Sequence, residues 1–537
     1  MDSPPRTRSI HLVHGTTNRK INRWQMLAGL GGFVLATVLA YVLFGNYRTF
    51  LIVGGVLFSL FALVMSASFL VAMAYTKRES GIEDDLLLGP PRGPSRHAIA
   101  VLIPARHETA VLARTLLNTA WTQREHRDHR IVAVLNDDDP DTIRVAAVAA
   151  RVVNEGLAAG ADHDEIERRL AVAEHESGMP LVDLLDAVGA GPVDVLVYPL
   201  QGRPPNKPQQ LNYAFTRLRS CVEVFTVLDA ESIAAPGLLS VVDQAFTDHP
   251  DVDIIQGGIQ LMDPHCDGPW RERVRTRLQR WYAWHNLLEY LRWFSSQMRY
   301  QSDKGFMPLG GNTVFLRTDL LAKTGGWPMS LTEDCELGVR ATAVHGARTL
   351  TFYDPRLATR EETPPDLHTL VKQRRRWNIG FIQSFVAGNW RSLPGRRQRL
   401  IACWILTMSL FQTVSFAMLP VTLVTAFWID SPAPLAVAMC IPTIAIALAV
   451  ALQMLQIHEY GRVFHRRVPW HVYPLFVATF YPYQLVLSFA AAQAVLWYVL
   501  GRLGWDKTTH VGDHFAAHVL PARGTPAVRG AMLAESA

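Results

Sequence analysis

Apolar positions are distributed unevenly along the chain. Five uncharged apolar runs occupy 24–45, 50–75, 400–429, 434–455 and 468–500. Runs of about 20 residues or more are long enough for a helix to cross a bilayer, and they are too long for the apolar part of a signal peptide. The pattern predicts a transmembrane helix hairpin over 24–75 and a C-terminal transmembrane region over 396–501 with about three apolar segments.

Basic residues flank the first two runs on their outer sides, at Arg19, Lys20, Arg23, Lys77 and Arg78. The short turn between these runs contains Arg48 as its only basic residue. Because loops rich in Lys and Arg stay in the cytoplasm, the N-terminal tail 1–23 and the middle segment 76–395 are expected there. This predicts a multi-pass protein of the cell (inner) membrane whose soluble domain is cytoplasmic.

The last apolar run, 468–500, allows two interpretations. It is long for one span and short for two, and Pro482 could break it because proline interrupts the hydrogen bonds of a helix. One span would place the C-terminal tail 502–537 outside the cell. A tight hairpin, or an interfacial helix followed by re-entry, would keep that tail inside.

In the middle segment, short apolar runs rich in β-branched residues alternate with helical stretches. The predicted strands are 98–105, 130–136, 193–200, 222–229 and 252–261. Continuous apolar strands separated by helices are typical of a parallel α/β sheet with both faces covered. Ligands of such sheets bind at the carboxyl ends of the strands, so the chemistry of this segment is expected there.

Residues 143–191 interrupt the strand pattern with an alanine-rich stretch that carries interspersed charges. The spacing of its apolar residues predicts two or three amphipathic helices. We expect an insert that forms a solvated helical cap and has no chemical role.

Composition excludes some classes of function. A net charge of +5 over 537 residues is too small to indicate a nucleic-acid partner, and the basic residues cluster beside the apolar runs instead. The five cysteines have neither paired nor metal-type spacing. This fits a reducing cytoplasm and a membrane better than a disulfide scaffold.

Two carboxylates lie at the end of the predicted strand 222–229. Asp229 and Glu231 are separated by one residue, so in an extended chain both side chains point to the same side. Two such charges repel each other unless a cation or a proton lies between them. A Mg²⁺ or Mn²⁺ ion bound to a diphosphate would resolve the repulsion, and a solvated surface loop is the plainer alternative.

Other polar motifs follow predicted strands or precede helices, and each has an ordinary structural explanation. The acidic turn Asp137–Asp139 could bind a base or a ribose, support a metal, or cap a helix. Lys207 precedes a predicted helix, where a lysine suits a phosphate. Thr332, Glu333 and Asp334 can start a helix or present a general base.

The segment 372–381, KQRRRWNIGF, places three arginines and a tryptophan before the apolar run 400–429. It can be a juxtamembrane basic anchor or part of an active site. The aromatic-rich segment 281–297 has three possible interpretations: part of the hydrophobic core, an interfacial helix, or a surface on which sugars stack. Core or interface is the default interpretation.

The order of these motifs is more specific than any one of them. The acidic turn, the D-x-E pair, G-G-N at 310–312, T-E-D at 332–334 and Q-R-R-R-W at 373–377 follow one another along the chain. In this order they resemble the membrane-embedded family-2 glycosyltransferases of the cellulose/hyaluronan synthase type, over about residues 98–378. The resemblance implies a GT-A fold, an α/β domain inserted between transmembrane helices. It also implies that the donor is a nucleotide-diphosphate sugar, with UDP as the expected nucleotide, and that the transfer inverts the anomeric configuration.

The resemblance implies roles on the donor side. Contacts to the donor nucleotide are implied for Glu108, Asp137, Asp138 and Lys207. Which aspartate of 137–139 touches the uridine stays open. Asp229 and Glu231 would hold a divalent cation, Mg²⁺ or Mn²⁺, at the diphosphate. Asp334 would be the general base that takes the proton from the acceptor hydroxyl.

The resemblance also implies roles on the acceptor side. The residues concerned are Thr332, Glu333, Gln373, Arg376 and Trp377. Arg376 would counter the charge of the leaving diphosphate, and Trp377 would stack on the acceptor sugar. Arg374 and Arg375 are expected to do little more than face the lipid headgroups, so Arg375→Ala should have a mild effect.

Three functions compete. The first is a processive polysaccharide synthase that extends a glycan and exports it, with a homo-oligomer or an export partner completing the channel if the spans are too few. The second is a non-processive transferase that modifies a lipid carrier or a cell-envelope glycan. The third is a non-catalytic membrane receptor or scaffold on a degenerate transferase domain, encouraged only by Glu231, where the family usually has Asp.

Overall fold

The computed structural model describes residues 95–173, 179–262, 280–417, 433–464 and 468–504. The predicted N-terminal hairpin 24–75 and the tail 1–23 lie outside these residues, as does nearly all of the tail 502–537. The described residues contain the whole segment that carries the candidate motifs, apart from 263–279 and 174–178.

A seven-stranded sheet forms the centre of the soluble domain. Its strands are β1 (Ile99–Pro104), β2 (His129–Asn136), β3 (Val193–Tyr198), β4 (Val224–Val227), β5 (Ile254–Gln256), β7 (Val314–Arg317) and β8 (Thr349–Thr351). They lie in the order β3-β2-β1-β4-β7-β5-β8. Strand β7 is antiparallel to β4 and β5, and the other neighbouring strands are parallel. The predicted mostly parallel sheet is confirmed.

The predicted strand 252–261 is two strands. Strand β5 ends at Gln256, and β6 (Ile259–Leu261) pairs in parallel with β9 (Thr359–Glu361) in a separate sheet. Two glycines separate them, and a Cβ at Gly258 would lie 2.5 Å from a ring carbon of Tyr353. The chain can leave the main sheet here because glycine lets the aromatic ring approach the backbone.

Helices cover both faces of the sheet. Alternate residues of β1 enter two different hydrophobic clusters, as expected where successive side chains point to opposite faces. Helices α1 (Leu112–Gln123), α2 (Pro140–Ala158) and α6 (Leu238–Asp248) cover one face. Helices α5 (Lys207–Leu218) and α7 (Ala283–Arg292) cover the other.

The segment 143–191 is only partly a solvated cap. It belongs to α2, α3 (His163–Ala173) and α4 (Leu181–Asp186), which are the three amphipathic helices allowed by the spacing. Helix α2, however, is the buried crossover between β2 and β3, and its alanines and valines pack in the core of the domain. The cap interpretation was wrong for α2, because its alanine content reflects close packing on the sheet.

The remaining soluble helices complete the domain after β6. Helix α7 continues as a π-helical turn (Trp293–Gln297) into α8 (Met298–Asp303). Helices α9 (Thr318–Thr324) and α10 (Glu333–His345) follow β7, and α11 (Leu367–Ala387) follows β9. A short 3₁₀ helix (Asn389–Ser392) then leads to the apolar C-terminal region.

The C-terminal region contains α12 (Arg396–Leu406), α13 (Met408–Ala417), α14 (Ala433–Val463) and α15 (Val472–Val499). Of the described residues, α15 alone forms a helix that passes the length and composition test for crossing a membrane. Helices α12 and α13, which bend by 51° at their junction, would make a second if the pair counts as one span. Helix α15 is continuous through Pro482, so of the two interpretations of this apolar run the structure shows a single unbroken helix.

Candidate active site

Four carboxylates line one cavity at the carboxyl ends of the strands. Asp229 and Glu231 follow β4, Glu108 follows β1, and Glu361 ends β9. Glu108, Glu231 and Glu361 are each only 8% exposed. Burial raises the pKa of Glu231 and of Glu361 well above the usual range, and the nearby charge of Asp229 raises both further. The cluster therefore resists full ionisation until a cation offsets it.

Lys207 supplies a positive charge beside this cluster. Asn206 caps α5 by accepting a hydrogen bond from the backbone of Gln209 at 2.9 Å, which places Lys207 in the first turn. Its Nζ donates to Asp229 at 2.6 Å and lies 3.7 Å from Glu333. Burial opposes the charged form, but Asp229 and Glu333 together hold the pKa of Lys207 above its usual range.

Asp334 lies in the first turn of α10, next to the glycine pair. A Cβ at Gly311 would lie 2.9 Å from a carboxylate oxygen of Asp334, so only glycine permits this close approach. Burial raises the pKa of Asp334, although Lys207 acts against the shift. Burial also raises the pKa of the neighbouring Glu333, to about 7. Both carboxyls line the same cavity as the four carboxylates at the strand ends.

Asn312 joins the G-G-N turn to the carboxylates. Its amide donates to Ser232 at 2.6 Å and also to Glu361. The next residue, Thr313, has φ 53°, which is unusual for a β-branched residue, and its hydroxyl donates to Thr359 at 2.6 Å. Strained backbone of this kind is concentrated at functional sites, and here it orients Asn312.

The acidic turn divides its three aspartates among different contacts. Asp137 accepts a hydrogen bond from the backbone of Leu200 at 3.1 Å, and Asp138 pairs with Arg106 at 2.9 Å. Asp139 caps α2, so the helix-cap interpretation applies to this residue. Burial opposes ionisation of Asp139, but hydrogen bonds from the backbone of His107 and from Thr142 together outweigh it and lower the pKa. Among described residues, Arg106 and Glu108 line the cavity, and the three aspartates do not.

Helix α11 brings the Q-R-R-R-W motif to the same cavity. Gln373, Arg376 and Trp377 line it, opposite the strand ends. A Cβ at Gly380 would lie 2.1 Å from the Thr332 hydroxyl, so α11 crosses close to the T-E-D turn. The structure thus places the residues assigned to the acceptor beside the candidate base.

Arg374 and Arg375 do not face the exterior, and the expectation that they do was wrong. Arg374 forms an ion pair with Glu289 at 2.6 Å. Arg375 is 7% exposed, donates to Gln493 of α15 at 3.1 Å, and lies 3.6 Å from the Trp497 ring centre. Helix α11 packs along α15, which covers Arg375, while α7 supplies the partner of Arg374.

Several residues of the site were missed from the sequence. Glu361 ends the three-residue strand β9 and was given no role, although it opens the stretch EETPPDLHTL that leads into Q-R-R-R-W. Tyr290, Trp293 and Phe294 line the cavity and also pack in a hydrophobic cluster, so the default interpretation of segment 281–297 as core holds beside a role that it did not include. Their spacing at i, i+3 and i+4 was a usable signal for a shared helix face.

The cavity is large and extends beyond the carboxylates. Its volume is about 860 Å³. Away from the strand ends it is lined by Ser409 and Gln412 of α13, Gln453 of α14 and Gln484 of α15. The same open space therefore connects the candidate catalytic groups with polar side chains on apolar helices.

Residues 172–380 match the family model described as glycosyltransferase like family 2. The chain is a glycosyltransferase with a family-2 domain. The matched residues include Asp229, Glu231, Asp334 and the Q-R-R-R-W motif. This confirms the predicted enzyme class, and the domain with its mostly parallel sheet is a GT-A fold.

Solved structures similar to this glycosyltransferase include the following two. The mannosyltransferase PcManGT from Pyrobaculum calidifontis, in complex with GDP-Man and Mn²⁺, is 17% identical; the match covers 83% of this chain and 98% of that one, with a TM-score of 0.45. TarS 1-349 from S. aureus is 12% identical; the match covers 75% of this chain and 91% of that one, with a TM-score of 0.33. Among curated proteins, none matches the glycosyltransferase in sequence.

Proposed function

We propose that this glycosyltransferase transfers a sugar, with inversion, from a UDP-sugar to a growing polysaccharide that leaves through its apolar helices. The observation that carries the proposal is the single cavity, which joins the buried carboxylates to amide side chains of α13, α14 and α15. Donor, acceptor and product would occupy successive parts of this one space.

On the donor side, Asp229 and Glu231 would hold Mg²⁺ or Mn²⁺. Buried carboxylates with raised pKa values fit a divalent cation, because both ions prefer carboxylate and phosphate oxygens. The bound ion would offset the charge of the diphosphate. Lys207 would contact the phosphates, and Glu108, with Arg106 and its partner Asp138, would border the nucleotide. Asp137 supports the turn that follows β2.

On the acceptor side, Asp334 would accept the proton of the acceptor hydroxyl as that oxygen attacks the anomeric carbon. Its raised pKa makes Asp334 a stronger base than an ordinary aspartate once it is ionised. Arg376 would stabilise the departing diphosphate, and Gln373 and Trp377 would hold the acceptor ring. Thr332 and Glu333 set the turn that presents the base.

Polar side chains within the largely apolar lining of this end of the cavity favour a glycan over a lipid tail as the occupant. Ser409 is 1% exposed, and its hydroxyl has no hydrogen-bond partner within the described residues. Buried hydroxyls and amides cost free energy unless they are paired. A chain of sugar hydroxyls can pair with Ser409, Gln412 and Gln484, whereas a hydrocarbon tail cannot. This observation supports the synthase over the lipid-carrier alternative.

A membrane location is part of the proposal. Helix α15 exposes apolar side chains four residues apart, at Val477, Tyr481, Leu485 and Phe489, which are between 41% and 58% exposed. Such a stripe suits lipid contact. We infer a multi-pass protein of the inner membrane with the GT-A domain on the cytoplasmic side, as the flanking basic residues indicate.

A donor panel tests the proposal. The purified protein would be incubated with UDP-, GDP- and dTDP-sugars and with Mg²⁺ or Mn²⁺, and nucleoside diphosphate release would be measured. We expect release from a UDP-sugar that depends on the added metal. Release only from GDP- or dTDP-sugars would overturn the uridine assignment, and no release from any sugar nucleotide would overturn the proposed reaction.

A further inference from the structure

A buried ionic network lies between the acceptor side of the cavity and α15. Glu289, in the last turn of α7, accepts two hydrogen bonds on the same carboxylate oxygen. One comes from Arg374 of α11 at 2.6 Å and the other from the hydroxyl of Tyr483 of α15 at 2.8 Å. The side chains of Glu289 and Arg374 are 20% and 16% exposed. One carboxylate therefore ties together three helices.

The carboxylate of Glu289 also offsets the charge of a second arginine. Arg292 lies on the same helix as Glu289, and its charge interacts with both Glu289 and Arg374. Glu289 is thus a shared anion for two guanidinium groups. Without it, the two largely buried positive charges would repel each other, and the hydrogen bond from Arg374 to Asn286 would have to hold the guanidinium against that repulsion.

Arg374 in turn fixes the ring assigned to the acceptor. Its guanidinium carbon lies 4.7 Å from the centre of the Trp377 ring. Tyr290 contacts the same indole, with ring centres 6.0 Å apart. The orientation of Trp377 therefore depends on two neighbours, and one of them is held in place by Glu289.

We infer that Glu289 is a positioning residue that sets the orientation of Trp377 through Arg374 and joins it to α15 through Tyr483. The inference rests on the proposed function, because it assigns Trp377 to the acceptor. Glu289 lines the cavity beside Arg374 and Tyr483, and we assign it to positioning because its carboxylate is engaged by these two partners. Its loss should weaken use of the acceptor and leave the affinity for the donor as it was.

The test compares Glu289→Gln with Glu459→Gln, which breaks an exposed ion pair with Arg462 of 2.8 Å. The probe acceptor is a short oligosaccharide of the transferred sugar, and the donor is the UDP-sugar that the wild type uses. For Glu289→Gln we expect acceptor kcat/KM to fall roughly 10- to 100-fold, the size of effect that misplacement by about 1 Å can cause. The donor KM should stay within about twofold of wild type. Glu459→Gln should match wild type in both.

Tyr483→Phe covers the case in which Glu289→Gln does not fold, because it removes one hydroxyl and little volume. It should lower acceptor kcat/KM by roughly tenfold, the value of one hydrogen bond to a charged group, with donor KM unchanged. The inference is overturned if either folded variant matches Glu459→Gln, or if donor KM rises as much as acceptor KM. If the wild type elongates no acceptor and releases no nucleotide, the proposed function fails instead.

Discussion

At the scale of single residues, the site is governed by negative charges held out of water. Glu231 and Glu361 cannot both ionise easily beside Asp229, and Lys207 offsets only part of the charge. Asp334 lines the same cavity as these charged groups, and its carboxylate lies close to Gly311. The chemistry therefore depends on which carboxylates carry protons and which bind a cation.

The role of Asp334 can be tested by removing its charge. Asp334→Asn keeps the shape of the side chain but cannot accept the acceptor proton, so transfer should fall about 10²- to 10⁴-fold. Nucleotide release under transfer conditions measures the loss. Asp319→Asn, at an exposed position on α9, is the matched control and should behave as wild type. Unchanged release by Asp334→Asn would show that the base is another residue.

Metal binding should release protons. Because burial and Asp229 raise the pKa of Glu231 and Glu361, these carboxyls bind protons more readily in the metal-free protein than ordinary glutamates do. A divalent cation favours their ionised forms, so its affinity should increase as the pH rises. Calorimetric titration with Mn²⁺ in buffers of different ionisation enthalpy measures the protons released. Identical heats in all buffers would argue against carboxylates with raised pKa values as the metal ligands.

At the scale of elements, regular patterns were predictable and local exceptions were not. Alternation of apolar strands and helices predicted β1 to β4 within a few residues. The division of 252–261 was hidden, because it depends on how closely Tyr353 approaches Gly258. The burial of α2 was hidden for a similar reason, since alanines suit both a solvated helix and a closely packed one.

The same limit applied to the candidate site. Motif order placed Asp229, Asp334 and Trp377 in one active site, and the structure brings them to one cavity. Glu361 and Glu289 were given no role from the sequence, and their place at the cavity becomes visible only when separate elements meet. The contacts of each arginine in Q-R-R-R-W depend on which neighbouring helix it faces. The local sequence does not specify which helices those are.

The contact between α11 and α15 gives a prediction about stability. The sequence led us to expect that Arg375 faces the lipid headgroups and that Arg375→Ala has a mild effect. Its guanidinium instead packs on Trp497 and donates to Gln493, so the substitution should lower stability by roughly 2 kcal/mol. Thermal unfolding of the detergent-solubilised protein measures the change, with the exposed Arg168→Ala as control. Equal stability of the two variants would contradict this packing.

At the scale of the whole molecule, the main feature is the continuity between the GT-A domain and the apolar helices. One cavity of about 860 Å³ reaches from the carboxylates to Gln453 and Gln484. A transferase that adds one sugar needs no hydroxyl-binding path beyond its acceptor site. A synthase that keeps its product bound between additions does need one, and the polar lining fits that requirement.

The length of the product tests this account most directly. The purified protein would be incubated with a radiolabelled UDP-sugar and Mn²⁺, and the products would be separated by size while most of the donor remains. We predict long chains at this early stage, because each product stays bound in the cavity for the next addition. Products that carry one added sugar, at every stage of the reaction, would contradict the account.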